Sequence, residues 1–299
     1  MIYASDVPST ATLAQLDTVP GSKDAFPPAL VRHIHKLRGL VTAGARHVQV
    51  HAATASGKSR LIPSETANLL PEQEKLLVLT QSTVDITGMQ ADAWIPSCYR
   101  MGRGRAGGKR WRASRIVFAT AGLANRWYAS EGSMMWHSYS GVMFDEIDQM
   151  ERDPGYAQLW ESARQEAAKR KFLLLGASAT YSDDMKQTLS EQGAAWIECH
   201  DRPFPVEQFV MQVPTQGDLY PAVKHLVKSL LGRKLTSLVF LPGKSEIADL
   251  MADLEKAGIP QQALVPFRAE LEADELQRAK QATSYPRVLL ATNQSWNFF

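Results

Sequence analysis

At 299 residues, 44% hydrophobic and 21% charged, the chain has room for two domains and the balance of a soluble globular protein that buries substantial cores. Its net charge of +2 argues neither for nor against a polyanionic partner. The two cysteines, Cys98 and Cys199, lie outside any CxxC spacing, which speaks against a disulfide framework or a zinc site, and nothing resembles a secretory leader or an apolar run of the ~20 residues that span a bilayer.

Residues 1–26 are mixed in composition and read as an irregular leader. From Pro27 onward, short apolar runs alternate with helix-length amphipathic stretches. Strands are expected at His47–His51, Lys75–Thr80, Ile116–Thr120, Gly141–Asp145 and Phe172–Gly176. Helices are expected near Lys58–Leu70, Val84–Trp94, Gly122–Ala129 and Tyr156–Lys171. Buried strands alternating with helices indicate an α/β fold with a parallel sheet covered on both faces. After Asp201–Val206 (DRPFPV) a second α/β series is expected. It comprises helix Leu219–Leu231, strand Ser237–Leu241, helix Ser245–Ala257, strand Ala263–Pro266, helix Leu271–Gln281 and strand Arg287–Ala291. The expected division is 1–26, 27–205 and 206–299. Three strands fall short of the five or six usual in such a sheet, so the second domain reads as incomplete.

Directly after the first strand stands Ala52-Ala53-Thr54-Ala55-Ser56-Gly57-Lys58-Ser59. A loop ending in Gly-Lys-Ser and opening a helix can cradle phosphates. Backbone N–H groups and the helix N-terminus meet the anion, the lysine neutralises the β/γ charge, and the hydroxyl binds Mg²⁺. Thr54, Ala55, Ser56, Gly57, Lys58 and Ser59 are the candidate nucleotide-binding residues. Ala52 and Ala55 replace glycines of the general pattern, and the plain alternative is a turn.

Strand Gly141–Asp145 runs into Asp145-Glu146-Ile147-Asp148. That places two carboxylates at the C-terminal rim of the sheet, where ligands of open α/β folds bind. Asp145 is the candidate Mg²⁺ ligand with Ser59, and Glu146 the candidate general base beside the catalytic Lys58. The plain alternative is an acidic first turn of a helix. Gly176-Ala177-Ser178-Ala179-Thr180 ends another apolar strand, and Ser178 and Thr180 can hydrogen-bond the acidic motif and couple the site, with Asp148, to domain movement.

A stretch around Tyr99–Ser114 carries Arg100, Arg103, Arg105, Lys109, Arg110 and Arg112, with Arg115 just beyond, four glycines and no acid. It reads either as a solvated charge run or as a phosphate-attracting loop with Trp111 free to stack on a base. Met134-Met135-Trp136-His137 reads as packing. The adjacent Cys199–His200 pair reads as structural rather than as thiol chemistry.

The P-loop, the Asp-Glu-x-Asp motif and Ser-Ala-Thr, in this order, resemble a superfamily 2 DExH/D-box helicase. Gly57–Pro63, Phe204-Pro205-Val206, Ser237–Leu241 and Arg287–Asn293 are similar to further segments of that family. The resemblance runs from about Pro27 to the C-terminus. It implies a RecA-like P-loop NTPase lobe followed by a partial second RecA-like lobe, with ATP or another NTP and Mg²⁺ as cofactors. It implies NTP hydrolysis coupled to movement along single-stranded or duplex RNA. Thr80, Gln81, Arg103, Arg105, Thr120, Gly122 and Thr292 would contact the RNA backbone, with little sequence preference. Arg100-Met101-Gly102-Arg103-Gly104 with Ile116–Leu123 is similar to helicases of positive-strand RNA virus polyproteins (potyvirus-, hypovirus- or fusarivirus-like). That implies a part in viral RNA replication with other replication proteins in host cytoplasm.

Three departures stand out. Asp148 occupies the histidine position of DExH enzymes, Gln294–Asn297 fits the fifth motif poorly, and no sixth motif follows. An arginine finger is worth about 10³–10⁵ in rate, so this chain by itself is expected to be a weak NTPase. Two other readings stay open: a P-loop ATPase acting on something other than nucleic acid, and an RNA-binding helicase remnant without catalysis.

Overall fold

The computed structural model describes residues 28–54, 56, 58–80, 98–100, 114–199, 219–267 and 283–292. The chain forms two compact units, Met1–Pro205 and Val206–Phe299. The expected helices Val84–Trp94 and Leu271–Gln281, and Phe204-Pro205-Val206, lie outside the described residues.

The first unit is built on a sheet in which every pairing is parallel. In chain order it contains α1 (Pro28–Thr42), β1 (His47–Ala52), α2 (Lys58–Leu69), β2 (Leu76–Thr80), β3 (Cys98–Arg100), β4 (Ile116–Thr120), α3 (Ala121–Glu131), β5 (Gly141–Asp145), α4 (Pro154–Lys169), β6 (Leu173–Ser178), α5 (Asp183–Glu191) and β7 (Ala195–Cys199). Seven strands lie in the order β3-β4-β2-β5-β6-β1-β7. Because all run the same way, their C-terminal ends share one edge.

Each strand sends alternate side chains to opposite faces. Val48, Val50, Leu76, Val78, Phe118, Met143 and Leu175 pack with Leu37 and Leu40 of α1 and Ile62 of α2. Leu77, Leu79, Val117, Val142, Phe144 and Leu174 pack on the other side with Ala124, Tyr156, Leu159, Trp160 and Leu189 of α3 to α5. Both faces are therefore dry, which explains the nearly unbroken apolar runs of the central strands.

Local chemistry fixes the helix starts. Asp153 caps α4 by accepting from the N–H groups of Gly155 (2.9 Å) and Tyr156 (3.2 Å), with Pro154 at the first helical position. This moves the helix start two residues ahead of the expected Tyr156, since a cap and a first-turn proline are pre-organised for helix. Ser182 caps α5 through the N–H of Met185. Arg115 Nη2 donates to the carbonyls of Leu70 (2.9 Å) and Pro71 (3.2 Å), and also to that of Ala67, closing the end of α2.

The second unit contains α6 (Leu219–Gly232), β8 (Ser237–Leu241), α7 (Lys244–Lys256), β9 (Leu264–Phe267) and β10 (Val288–Thr292). Its three described strands are parallel in the order β8-β10-β9. Val227, Ile247, Leu250, Leu254, Val288 and Leu290 form its core. No helix among the described residues is long and apolar enough to cross a membrane.

Candidate active site

Strand β1 delivers the candidate phosphate-binding motif to the C-terminal edge, and two backbone bonds fix its entry. Ala53 N–H donates to the carbonyl of Cys199 (3.3 Å) and Ser56 N–H to that of Ala53 (3.2 Å). Lys58 is the first residue of α2. Its side chain is buried, and Nζ lies 3.3 Å from Oε1 of Glu146. Burying an ammonium is costly unless an opposite charge accompanies it, and Glu146 supplies that charge here. Asp145, the last residue of β5, is only 6% exposed. Ser56 Oγ is buried with no hydrogen-bond partner among the described residues, Ser59 is half-buried and Thr54 is exposed. Ala55 and Gly57 lie outside the described residues.

Glu146 adopts a left-handed backbone (φ 53°, ψ 53°). A side-chain-bearing residue pays on the order of 1 kcal/mol or more for this conformation. The turn it makes leads from β5 into the 3-10 turn Ile147–Glu151, anchored by the fully buried Ile147. Glu146 thereby meets Lys58 while Asp148 meets the end of β6. Ser178 Oγ donates to Asp148 Oδ1 (2.6 Å) and Thr180 Oγ1 to Asp148 Oδ2 (2.9 Å). Thr180 N–H closes the cluster on Ser178 Oγ (3.0 Å), and Glu146 Oε2 lies 3.5 Å from the same hydroxyl. A carboxylate, with two acceptor oxygens, satisfies two hydroxyl donors, which gives a physical reason for Asp148 at this position.

The candidate donors are all oxygen: the Ser59 hydroxyl and the Asp145 and Glu146 carboxylates. Among the described residues no group of three or more His, Cys, Asp or Glu side chains could hold a metal by itself. Such a site fits Mg²⁺, which keeps several waters and takes one or two carboxylates together with substrate phosphates.

Beneath the site lies a polar layer that the sequence reading missed. His47, Gln49 and His51 alternate along β1 on one face. Tyr181 Oη donates to Gln49 Oε1 (3.1 Å) and approaches the Val50 carbonyl (3.4 Å), while Gln49 Nε2 lies 2.8 Å from His47 Nε2. Burial lowers the pKa of His47 to about 4. Gly176 lies tight against this layer: a Cβ there would sit 2.6 Å from Ile147 Cδ1 and closer still to the Gln49 amide, so the ends of these two side chains would have to move. Tyr156 is buried on α4 and donates to the carbonyl of Asp145 (2.8 Å), with that of Leu79 at 3.3 Å. Burial, and then the charges of Asp145, Glu146 and Asp148, raise the pKa of both tyrosines well above the ordinary value. The signal available in the sequence was the polar alternation of HVQVH within an otherwise apolar sheet.

Toward β4 the edge presents the candidate nucleic-acid residues. Thr80 and Thr120 end β2 and β4 in adjacent register. Thr80 is 1% exposed, backbone and side chain together, so of the two strand ends only that of the half-buried Thr120 is open to contact as it stands. Thr120 caps α3 by accepting from Leu123 N–H (3.4 Å), and Gly122 is exposed with open space around its α-carbon. Thr292 ends β10 in the second unit and is half-buried. Gln81, Arg103, Arg105 and Trp111 lie outside the described residues. Arg115 is committed to the end of α2, so it does not belong with the basic stretch. Within Met134–His137 only Met135 and Trp136 are packing: both are buried, and Trp136 Nε1 donates to Ser162 Oγ (2.9 Å), whereas Met134 and His137 are exposed.

No family model matches the sequence, and no curated protein matches it. Among solved structures, the chain is similar to the Escherichia coli DExH-box NTPase HrpB, with a TM-score of 0.68 and 24% identity over 90% of this chain and 34% of that one. A second structure, described as the E. coli DEAH/RHA helicase HrpB, gives a TM-score of 0.69 and 23% identity over 89% and 34%. The chain thus spans about a third of the length of these proteins, and what it shares with them is the fold, a RecA-like α/β arrangement.

Proposed function

We propose that this chain binds and hydrolyses a nucleoside triphosphate with Mg²⁺ and uses the cycle to move along or unwind RNA. The observation that carries the reading is the 3.3 Å approach of Lys58 Nζ to Glu146 at the C-terminal sheet edge, beside the buried Asp145. In the resting arrangement the lysine and the carboxylate neutralise each other. An arriving triphosphate offers Lys58 a stronger anionic partner, and Glu146, released, orients and deprotonates the attacking water. Ser59 and Asp145 would hold Mg²⁺, whose contribution is to neutralise charge on the phosphate oxygens. Ser56, Thr54, Ala55 and Gly57 complete the loop around the phosphates. The Ser178–Asp148–Thr180 bonds link the acidic turn to the segment after β6 and form the route by which a change in Glu146 reaches the rest of the molecule.

RNA would lie along the same edge at the ends of β2 and β4. Gln81, Thr120 and Gly122 would meet its backbone, with Thr80 reached only once that strand end opens, and Arg103 and Arg105 would meet its phosphates; Thr292, at the end of β10, is a separate candidate contact within the second unit. Contacts of this type favour affinity over sequence preference. The finer reading, a helicase of a positive-strand RNA virus acting in host cytoplasm with other replication proteins, is supported by Arg100–Gly104 and Ile116–Leu123. Stronger stimulation of hydrolysis by RNA than by DNA would favour it.

The test is single-turnover hydrolysis with and without RNA. Lys58→Ala is expected to abolish it. Glu146→Gln is expected to retain nucleotide binding while slowing turnover by about 10²-fold or more, since a general base usually contributes roughly 10²–10⁴-fold. Turnover of Glu146→Gln at the parental rate would remove Glu146 from the role of base.

A further inference from the structure

We infer that Tyr156 is a positioning residue that couples the RNA-facing end of β2 to the metal- and base-bearing end of β5. The inference rests on the function proposed above. The β2–β5 ladder ends at the pair Leu79↔Phe144. One step further along, the Tyr156 hydroxyl takes over, lying 2.8 Å from the carbonyl of Asp145 and 3.3 Å from that of Leu79. These two carbonyls belong to the peptides that lead into Glu146 and Thr80. One buried hydroxyl thus spans the peptide that aims the candidate base and the peptide that ends the candidate RNA strand.

The hydroxyl has one proton and two acceptors. At these distances it is donated to Asp145, and a small shift of either strand end changes which carbonyl is nearer. That makes the contact a two-position element, which is what coupling between sites needs physically. The element is held firmly. Tyr156 is fully buried in the first turn of α4, its backbone N–H is bound by the Asp153 cap, and its ring packs edge-on against Phe144 with centroids 5.2 Å apart. Glu146 follows in a left-handed conformation that depends on its surroundings to hold it, so its carboxylate is sensitive to the preceding peptide.

Tyr156→Phe removes the hydroxyl and keeps the ring. Tyr139→Phe is the control: Tyr139 is also buried in the same core, but it precedes β5, at the opposite edge of the sheet. The measurement, in the full chain, is the Kd for a fluorescent ATP analogue with Mg²⁺, with and without a single-stranded oligo(U). The ratio of the two values is the coupling factor, which in allosteric proteins is typically about 5–150-fold. The Tyr156→Phe variant is expected to reduce this factor at least threefold and to lower the RNA-stimulated single-turnover rate about fivefold, on the scale of one hydrogen bond. Its Kd for the analogue without RNA should stay within twofold and its Tm should fall by only the few degrees that one lost hydrogen bond costs, while Tyr139→Phe keeps the parental coupling. A Tyr156→Phe variant that keeps the parent's coupling overturns this inference alone, whereas a parent without coupling also removes the RNA-driven part of the proposed function. A parent whose nucleotide binding and hydrolysis ignore Lys58→Ala overturns the proposed function, and the inference with it.

Discussion

Single residues at the sheet edge carry demands that their neighbours in sequence do not explain. Lys58, Asp145, Glu146, Ser178 and Thr180 were legible because each stands in a short motif at a strand end, and the structure brings Lys58 to Glu146 and Ser178 and Thr180 to Asp148. Tyr156 was not legible, because a tyrosine on the apolar side of an amphipathic helix looks like any other core residue until its hydroxyl is seen to reach two carbonyls. Gly176 lay within an apolar strand, where it could be taken as indifferent. Its need is steric: the Gln49 amide and Ile147 Cδ1 occupy the volume a methyl group would take. Gly176→Ala is therefore expected to destabilise the first unit by about 1–3 kcal/mol, the usual cost of overpacking a filled core. It should also displace Ile147 and with it the acidic turn. Urea unfolding followed by tryptophan fluorescence measures the first effect; a midpoint equal to the parent's would show that Gln49 and Ile147 yield without cost.

At the scale of elements, periodicity located the central strands well, since burial on both faces leaves them apolar. The edges of the sheet escaped it. β3 is three residues long, and β7 (AWIEC) pairs with β1 alone and leaves Glu198 exposed, so neither offered a sustained apolar run. Strand β1 is the opposite case: found in the sequence, but with its polar face unread. His47 on that face is held neutral by burial, with its pKa lowered to about 4; the nearby Arg164 adds to the effect, and a backbone contact with Gln192 opposes it. The unfolded chain takes up this proton near the ordinary histidine value of about 6.5, so between the two values the unfolded state binds more protons. Stability from this group is then complete above about pH 6.5 and is lost as pH falls toward 4. The loss approaches about 3 kcal/mol at the acid end, from 1.36 kcal/mol per pKa unit. His47→Gln is expected to flatten the pH dependence of unfolding across this window. A parent and variant with parallel curves from pH 7.5 to 4.5 would place the acid sensitivity elsewhere.

For the molecule as a whole, the two units have separate cores. The first is a seven-stranded sheet filled on both faces. The second, as described, is three strands with two helices, and the middle of its outer strand β8 is only half-buried at Leu238, Val239 and Phe240. Apolar area removed from water is the main favourable term in folding, so the second unit is expected to melt first and separately. Six of the seven tryptophans lie in the first unit, with Trp296 alone in the second. Tryptophan fluorescence therefore reports chiefly on the first, while far-ultraviolet circular dichroism reports on both. Leu290, on the central strand of the smaller sheet, is fully buried. Leu290→Ala should cost about 2–5 kcal/mol and pull down the circular-dichroism transition of the second unit, leaving the fluorescence midpoint within a degree or two of the parent's. Movement of both signals together by the same amount would mean that the two cores unfold as one cooperative body.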